Sequence, residues 1–224
     1  MTSSSLPHLQ AHHRDFAAFR DVMIDTSASR FGPLWWGVWD QLVTPPAGAT
    51  VVDLGTGPGM LLPHLRARGY RAIGVEVQPR MLEHARTLAA SCGAEIVEAD
   101  LATLPLPLPD GVADVVTAVH LFHELEFPPP LLAEAHRLLR PPGADAGGLL
   151  RPGGVLVLYD WVKRPLADYL EGKEPDADTL QHFREHCLFS PEDLEFLVTR
   201  AGFRVRETVG RKGGHYAMIV AERA

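Results

Sequence analysis

The segment Asp53-Leu54-Gly55-Thr56-Gly57-Pro58-Gly59 places a carboxylate and three alternating glycines directly after the apolar residues Val51 and Val52, and apolar residues resume at Leu61–Leu65. A buried strand, a tight turn and a helix start follow from that pattern. Glycine carries no side chain to keep a ligand off the backbone, and a helix N-terminus presents unpaired N–H groups. The spacing separates one ligand class from another. A dinucleotide-binding turn reads G-x-G-x-x-G, which from Gly55 needs a third glycine at position 60. Met60 stands there instead, and Gly59 comes one residue early. The next acid, Glu76, closes the apolar run Ala72–Val75. It falls about 20 residues after the first glycine, the offset at which a carboxylate meets ribose hydroxyls in nucleotide-binding folds.

The pattern D-x-G-x-G-x-G, with an acid ending the next strand, resembles the class I S-adenosylmethionine (SAM)-dependent methyltransferases. The resemblance implies SAM as cofactor and S-adenosylhomocysteine as product. It implies that Asp53, Gly55, Thr56, Gly57 and Gly59 cradle the cofactor and that Glu76 and Val77 stand at its ribose. In Glu98-Ala99-Asp100-Leu101-Ala102-Thr103-Leu104-Pro105 it puts Asp100 at the adenine amino group and the Leu101 N–H at the ring. The backbone of Val119 and His120 would accept from the methionine ammonium. His120 and His123 then lie near the transferred methyl and are the candidate catalytic residues, since a histidine can take a proton at working pH. Both also suit a pocket wall, because methyl transfer from a sulfonium draws much of its rate from positioning. Leu150-Arg151-Pro152-Gly153-Gly154 matches the family's turn into its fifth strand. A near copy, Leu139-Arg140-Pro141-Pro142-Gly143, precedes it, and the intervening Ala144–Leu149 reads as a lengthened surface loop. No metal is expected: catechol-type relatives gather acids at the ends of strands four and five, where this chain has His120 and the single Asp160. His182 and His186 have the i, i+4 spacing of a metal pair, but no third ligand stands out beside them; His12 and His13 carry no argument of their own.

The elements that must position these residues alternate from position 49 onward, which argues for βαβ units around a mostly parallel sheet. Strands are expected at Thr50–Leu54, Arg71–Glu76, Glu95–Glu98, Ala113–His120 and Val155–Asp160, with a terminal hairpin of Phe203–Val209 and His215–Glu222. Helices are expected at Leu9–Ile24, Leu34–Val43, Gly59–Arg68, Pro79–Ala90, Pro129–Leu139 and Pro191–Ala201, the last capped by Ser190. The resemblance implies a Rossmann-like α/β fold, a seven-stranded mostly parallel sheet flanked by helices, with the order 3-2-1-4-5-7-6, the last strand antiparallel, and an N-terminal helical cap. Residues 1–48 are read as a helical lid or substrate segment and 49–224 as the methyltransferase domain. Trp35, Trp36 and Trp39 on one side, with Phe16 and Phe31, and Tyr159, Trp161 and Tyr169 on the other, are candidate walls for an apolar substrate. The same residues at helical spacing are equally core material.

Composition narrows the function classes. The 224 residues carry a net charge of −7 and a pI near 5.9, which speaks against a free-standing nucleic-acid binder. The fourth strand also lacks the Asn/Asp-Pro-Pro-Tyr/Phe exit of DNA amino-methylating enzymes. Arg200, Arg204, Arg206, Arg211 and Lys212 fit charged protection of an edge strand. Two cysteines without metal-ligand spacing fit a reducing, cytoplasmic setting, and neither a membrane span nor a signal peptide is expected. The reading is SAM-dependent methyl transfer to a small organic molecule, on an oxygen, nitrogen or carbon nucleophile, by a monomer or homodimer. A SAM-binding regulatory or accessory protein without turnover and a nicotinamide-dependent oxidoreductase are the alternatives.

Overall fold

The structure, a computed structural model, describes residues 4–7, 9, 13, 15–144 and 150–224. His12 and positions 145–149 of the expected surface loop lie outside the described residues. Seven strands share one sheet: β1 (Thr50–Leu54), β2 (Arg71–Glu76), β3 (Glu95–Glu98), β4 (Val115–Val119), β5 (Val155–Trp161), β6 (Phe203–Arg211) and β7 (Tyr216–Arg223). Their order is β3-β2-β1-β4-β5-β7-β6. β7 runs antiparallel to both neighbours, and the remaining pairs are parallel. The sheet thus has the Rossmann-like order expected.

Side chains of consecutive strand residues leave opposite faces, and both faces are covered. Val52, Val116 and Leu156 pack under α6 (Pro129–Leu138) and α9 (Pro191–Arg200). Val51, Val115 and Val157 share a core with α4 (Leu62–Ala67), α5 (Pro79–Cys92) and α3 (Pro33–Val38); the preceding helices α1 (Phe16–Asp25) and α2 (Ser27–Arg30) lead into it, with no buried residue on α1. α1 is shorter than the expected Leu9–Ile24 because Asp15 caps it, accepting from the N–H groups of Ala17 and Ala18. α3 continues through a π-helical turn, Trp39–Val43, and ends at Thr44 in a left-handed conformation. Ser190 and Asp193 form the reciprocal capping box at the start of α9. Between β5 and α9 lie α7 (Leu166–Leu170) and α8 (Ala177–His186). Among the described residues no helix is long and apolar enough to cross a membrane.

The two Arg-Pro turns pair with one another. Gly143–Ala144 and Leu150–Arg151 form a two-residue antiparallel bridge, and the Arg140 guanidinium spans the copies, donating to Asp114 and to the Pro152 carbonyl. The second copy is the one fixed by the sheet: a Cβ at Gly153 would lie 2.1 Å from the Arg223 carbonyl oxygen. At a bulge in β6 between Val205 and Glu207, Arg206 turns toward β7 and the N-terminal segment. It shares the Glu222 carboxylate with Arg204 and donates to the Leu42 carbonyl at 2.8 Å. These two arginines are therefore paired within the fold.

At the centre of the sheet, Asp53 is 3% exposed and accepts two hydroxyl hydrogen bonds, from Thr56 at 2.7 Å and from Thr117 at 2.6 Å. They tie β1 to the turn that follows it and to β4. Burial raises the Asp53 pKa to about 6, and the hydroxyls of Thr117 and Thr56 act against that shift. Thr117→Val removes one donor from a buried carboxylate while keeping the side-chain shape. It should lower stability by about 1–3 kcal/mol; urea unfolding followed by far-UV circular dichroism measures it, and an unchanged midpoint would refute a structural role for this bond.

Candidate active site

The glycine turn reaches the carboxyl ends of the parallel strands, where open α/β sheets bind ligands. Gly55, Gly57 and Gly59 all have left-handed φ (64°, 56° and 82°). The Thr56 N–H donates to the Val75 carbonyl and the Gly57 N–H to Glu76 Oε2, each at 2.9 Å, so the turn is pinned to β2. A Cβ at Gly55 would come within 2.7 Å of the Leu121 side chain, whereas one at Gly57 would meet only the Met23 methyl at 3.8 Å. Gly57 therefore offers bare backbone to a cleft. Gly55, Gly57, Glu76, Val77, Leu101, Val119, His120 and Glu124 line that cleft from the sheet side. Leu9, His13, Phe16, Phe19 and Met23 cover it from the N-terminal side.

Glu76 Oε1 also accepts from the N–H groups of Val77 and Gln78. Burial raises its pKa, and these three backbone donors oppose the rise. Three sequence-predicted site residues are held by the chain itself. Both Asp53 oxygens are engaged by threonine hydroxyls, so Asp53 shapes the turn from behind. Gly59 packs on Ala85, its missing Cβ 3.1 Å from that residue's Cα. Asp100 Oδ2 accepts from the Ser4 hydroxyl and the Ser5 N–H, at 2.8 and 2.9 Å, and Oδ1 from the Ala102 N–H. The N-terminal segment thus occupies the carboxylate expected to face an adenine.

His120 has a left-handed φ of 53°, costly for a residue with a Cβ and concentrated at functional sites. Its N–H donates to the Tyr159 carbonyl at 2.7 Å, and its ring packs among Tyr159, Trp161 and Tyr216. His123, on the short helical turn Phe122–Glu124, is buried, with Nδ1 2.5 Å from Asp160 Oδ1 and Nε2 3.1 Å from Glu124 Oε1. Asp160 is held in turn by the N–H groups of Leu121, Phe122 and Trp161. His13 Nε2 meets the same Glu124 oxygen at 2.8 Å. Burial favours a neutral His123 ring, but Asp160 and then Glu124 override it and raise its pKa to about 10. The two carboxylates therefore favour the protonated ring, which would donate to both of them in this arrangement. Burial likewise works against ionisation of Glu124, yet hydrogen bonds from His123 and His13 hold its carboxyl below the usual range. His186, at the end of α8, brings its ring centroid to 4.8 Å from that of His123. Burial, with His123 and His182 nearby, pushes its pKa down to about 3.

Several aromatic assignments change. Trp35, Trp39 and Tyr159 are each 1% exposed and belong to the core against the sheet, where their large apolar area is best buried. Trp36 lies beneath the Arg68 guanidinium at 4.0 Å, away from the residues lining the cleft. Trp161 packs against Tyr216, its ring tilted by 34°, and lines a separate open pocket with Tyr169, Glu171 and His215. Residues 33–43 consequently give one face, Trp35, Trp39 and Val43, to the folded core, and the stretch ending near Met23 covers the cleft. The sequence reading also missed Asp160, Glu124 and His13 as members of the histidine cluster. The Glu124 signal lay in plain view as His-Glu at the exit of β4. The expected lack of a third partner for the α8 histidines is corrected too: His186 meets His123 and Glu124, while His182 is taken by the Tyr169 hydroxyl at 2.7 Å.

Residues 52–146 match the methyltransferase domain family. A demethylmenaquinone methyltransferase of Thermus thermophilus is 36% identical over 174 residues, covering 74% of this chain and 79% of that protein. An uncharacterized methyltransferase of Mycobacterium sp. (strain JLS) is 33% identical over 138 residues, covering 62% of this chain, which spans only 52% of that relative's length. The crystal structure of a SAM-dependent methyltransferase from Aquifex aeolicus superposes with a TM-score of 0.68 at 23% identity, over 94% of this chain and 99% of that one, a likeness of fold. With sequence, strand order and glycine turn in agreement, the chain belongs to the class I SAM-dependent methyltransferases, and SAM is its cofactor.

Proposed function

We propose that the protein transfers the methyl group of SAM to a small aromatic acceptor bound in the cleft between the glycine turn and the N-terminal segment. The observation that carries this reading is the bare, left-handed backbone at Gly57, which a Cβ would fill, facing the same cleft as the Glu76 carboxylate. That pair fits a cofactor with a ribose diol and an uncharged approach to the turn. When bound, SAM supplies a methyl group on a sulfonium, already activated toward a nucleophile.

The chain's own residues then divide the work. Gly55, Thr56 and Gly57 hold the turn open, with Asp53 and Gly59 fixing it from behind. Glu76 and Val77 serve the ribose, Leu101 the adenine face, and the backbone of Val119 and His120 the amino-acid end. Asp100 serves the adenine amino group once Ser4 and Ser5 withdraw from it. His120 lines the acceptor end, and His123 stands behind it and holds the cleft-lining Glu124, with Asp160 fixing the orientation of the His123 ring; holding reactants in register accounts for much of such a rate. Leu9, Phe16, Phe19 and Met23 exclude water and give the acceptor an apolar cover. The relative named for demethylmenaquinone supports an aromatic acceptor, and the apolar cover suits one.

Incubation with SAM and a panel of hydroquinones, followed by mass spectrometry, should yield S-adenosylhomocysteine and a methylated acceptor. Tight SAM binding without either product across the panel would favour a regulatory SAM-binding protein instead. Glu76→Gln should weaken SAM binding by about 1.5–3 kcal/mol, the scale of a hydrogen bond to a charged group; unchanged affinity by calorimetry would remove Glu76 from the ribose site. His123→Ala should cut turnover while leaving the SAM dissociation constant nearly unchanged, and equal losses in both would assign it to folding of the cleft.

A further inference from the structure

The histidine cluster beside the cleft has the composition and spacing of a metal centre. His123 and Glu124 come from the exit of β4 and His186 from the end of α8, and one donor atom of each lies within 4.8 Å of the others. His123 Nε2 and Glu124 Oε1 are already 3.1 Å apart. His186 Nδ1 is buried with no hydrogen-bond partner among the described residues. Leaving a buried polar atom in that state is unfavourable, and a ligand bond would relieve it. We propose that His123 Nε2, His186 Nδ1 and the Glu124 carboxylate bind one divalent transition ion of the Zn²⁺ type.

The donor set selects the ion class. Two imidazoles and one carboxylate suit zinc and other first-row divalent ions, whereas Mg²⁺ and Ca²⁺ call for oxygen ligands. Zinc bonds of about 2.0–2.2 Å place donors roughly 3–4 Å apart, so a shift of ~1 Å at His186 closes the set. The outer shell is built as well. Asp160 takes the Nδ1 side of His123 and is itself held by three backbone N–H groups. This carboxylate–histidine arrangement fixes the ring and leaves Nε2 for the ion. Charge favours a cation here, because two buried carboxylates, Asp160 and Glu124, flank His123. His13, 2.8 Å from Glu124, is the next donor in reach. Because Glu124 and His13 line the cleft, the ion's remaining positions face it, which suits an acceptor bearing a hydroxyl. That last role rests on the proposed methyl transfer; the binding of the ion does not.

The test uses tag-free full-length protein stripped with a chelator. Calorimetric titration with Zn²⁺ should give one ion per chain. His186→Asn and Glu124→Gln should each weaken binding by about tenfold or more, and Asp160→Asn by about 10–100-fold, as for other outer-shell partners. His182→Asn, one turn earlier on α8, should leave it unchanged. SAM affinity, measured on the same samples, reports whether each variant is folded and tests the cofactor site separately. X-ray absorption of the zinc-loaded wild type needs no variant and should show imidazole nitrogen in the first shell. Wild-type protein without saturable binding, a shell without imidazole, or a SAM-competent His186→Asn that retains full zinc affinity would overturn the site.

Discussion

The buried carboxylate of Asp53 is the constraint from which the cleft is built. It sits at the end of a central strand, away from water, and its two oxygens can be satisfied only by groups that come to it. Thr56 arrives from the following turn and Thr117 from the adjacent strand. A hydroxyl pair at those positions fixes how far the turn stands above the sheet. The same turn is tied on its other side to β2, through the Thr56 N–H to Val75 and the Gly57 N–H to Glu76. With both sides held, the glycines keep their left-handed conformations and the floor of the cleft is rigid before any ligand arrives. A carboxylate is the suitable centre for this because hydrogen bonds to a charged group are about twice as strong as neutral ones.

A second carboxylate organises the other end. Asp160 closes β5 and collects three backbone N–H groups and the His123 ring. It thereby sets the path of the chain as it leaves β4, including the short helical turn that carries His123 and Glu124. The strained backbone at His120 lies just before that turn and is held by its N–H bond to Tyr159 and by three aromatic rings. Floor and wall of the cleft are thus each referred to one buried acid on the sheet, which explains how segments distant in sequence meet there with short distances.

Much of this was legible in the sequence. The individual strands and the cofactor-facing turn are written locally, as alternating apolar runs and glycine spacing, and the structure reproduces them within a few residues; the order of the strands followed from the family resemblance and not from the periodicity. What the sequence did not disclose depends on which face of an element turns inward. Trp35 and Trp39 share a helical spacing with exposed possibilities, and only the sheet beneath them decides for burial. His182 and His186 occupy one face of α8, but packing gives one to Tyr169 and the other to His123. Asp160 reads as a lone strand-end acid; its role emerges from N–H groups supplied by β4's exit. Asp100 was legible as a strand-end carboxylate, while its hydrogen bonds to Ser4 and Ser5 depend on where a distant segment folds back.

The contact between Arg206 and the Leu42 carbonyl, together with Trp35 against Tyr159, has a kinetic consequence. These interactions join residues separated by more than half the chain. The entropy of closing such loops is lost before the contacts form, and folds rich in distant pairings form slowly and late. The packing of Trp35 and the Leu42 carbonyl against β5 and β6 is therefore completed only when those strands are in place. The last part of the chain to be made thus closes over an early one, and residues 35–42 reach their final packing only after the C-terminal strands have formed.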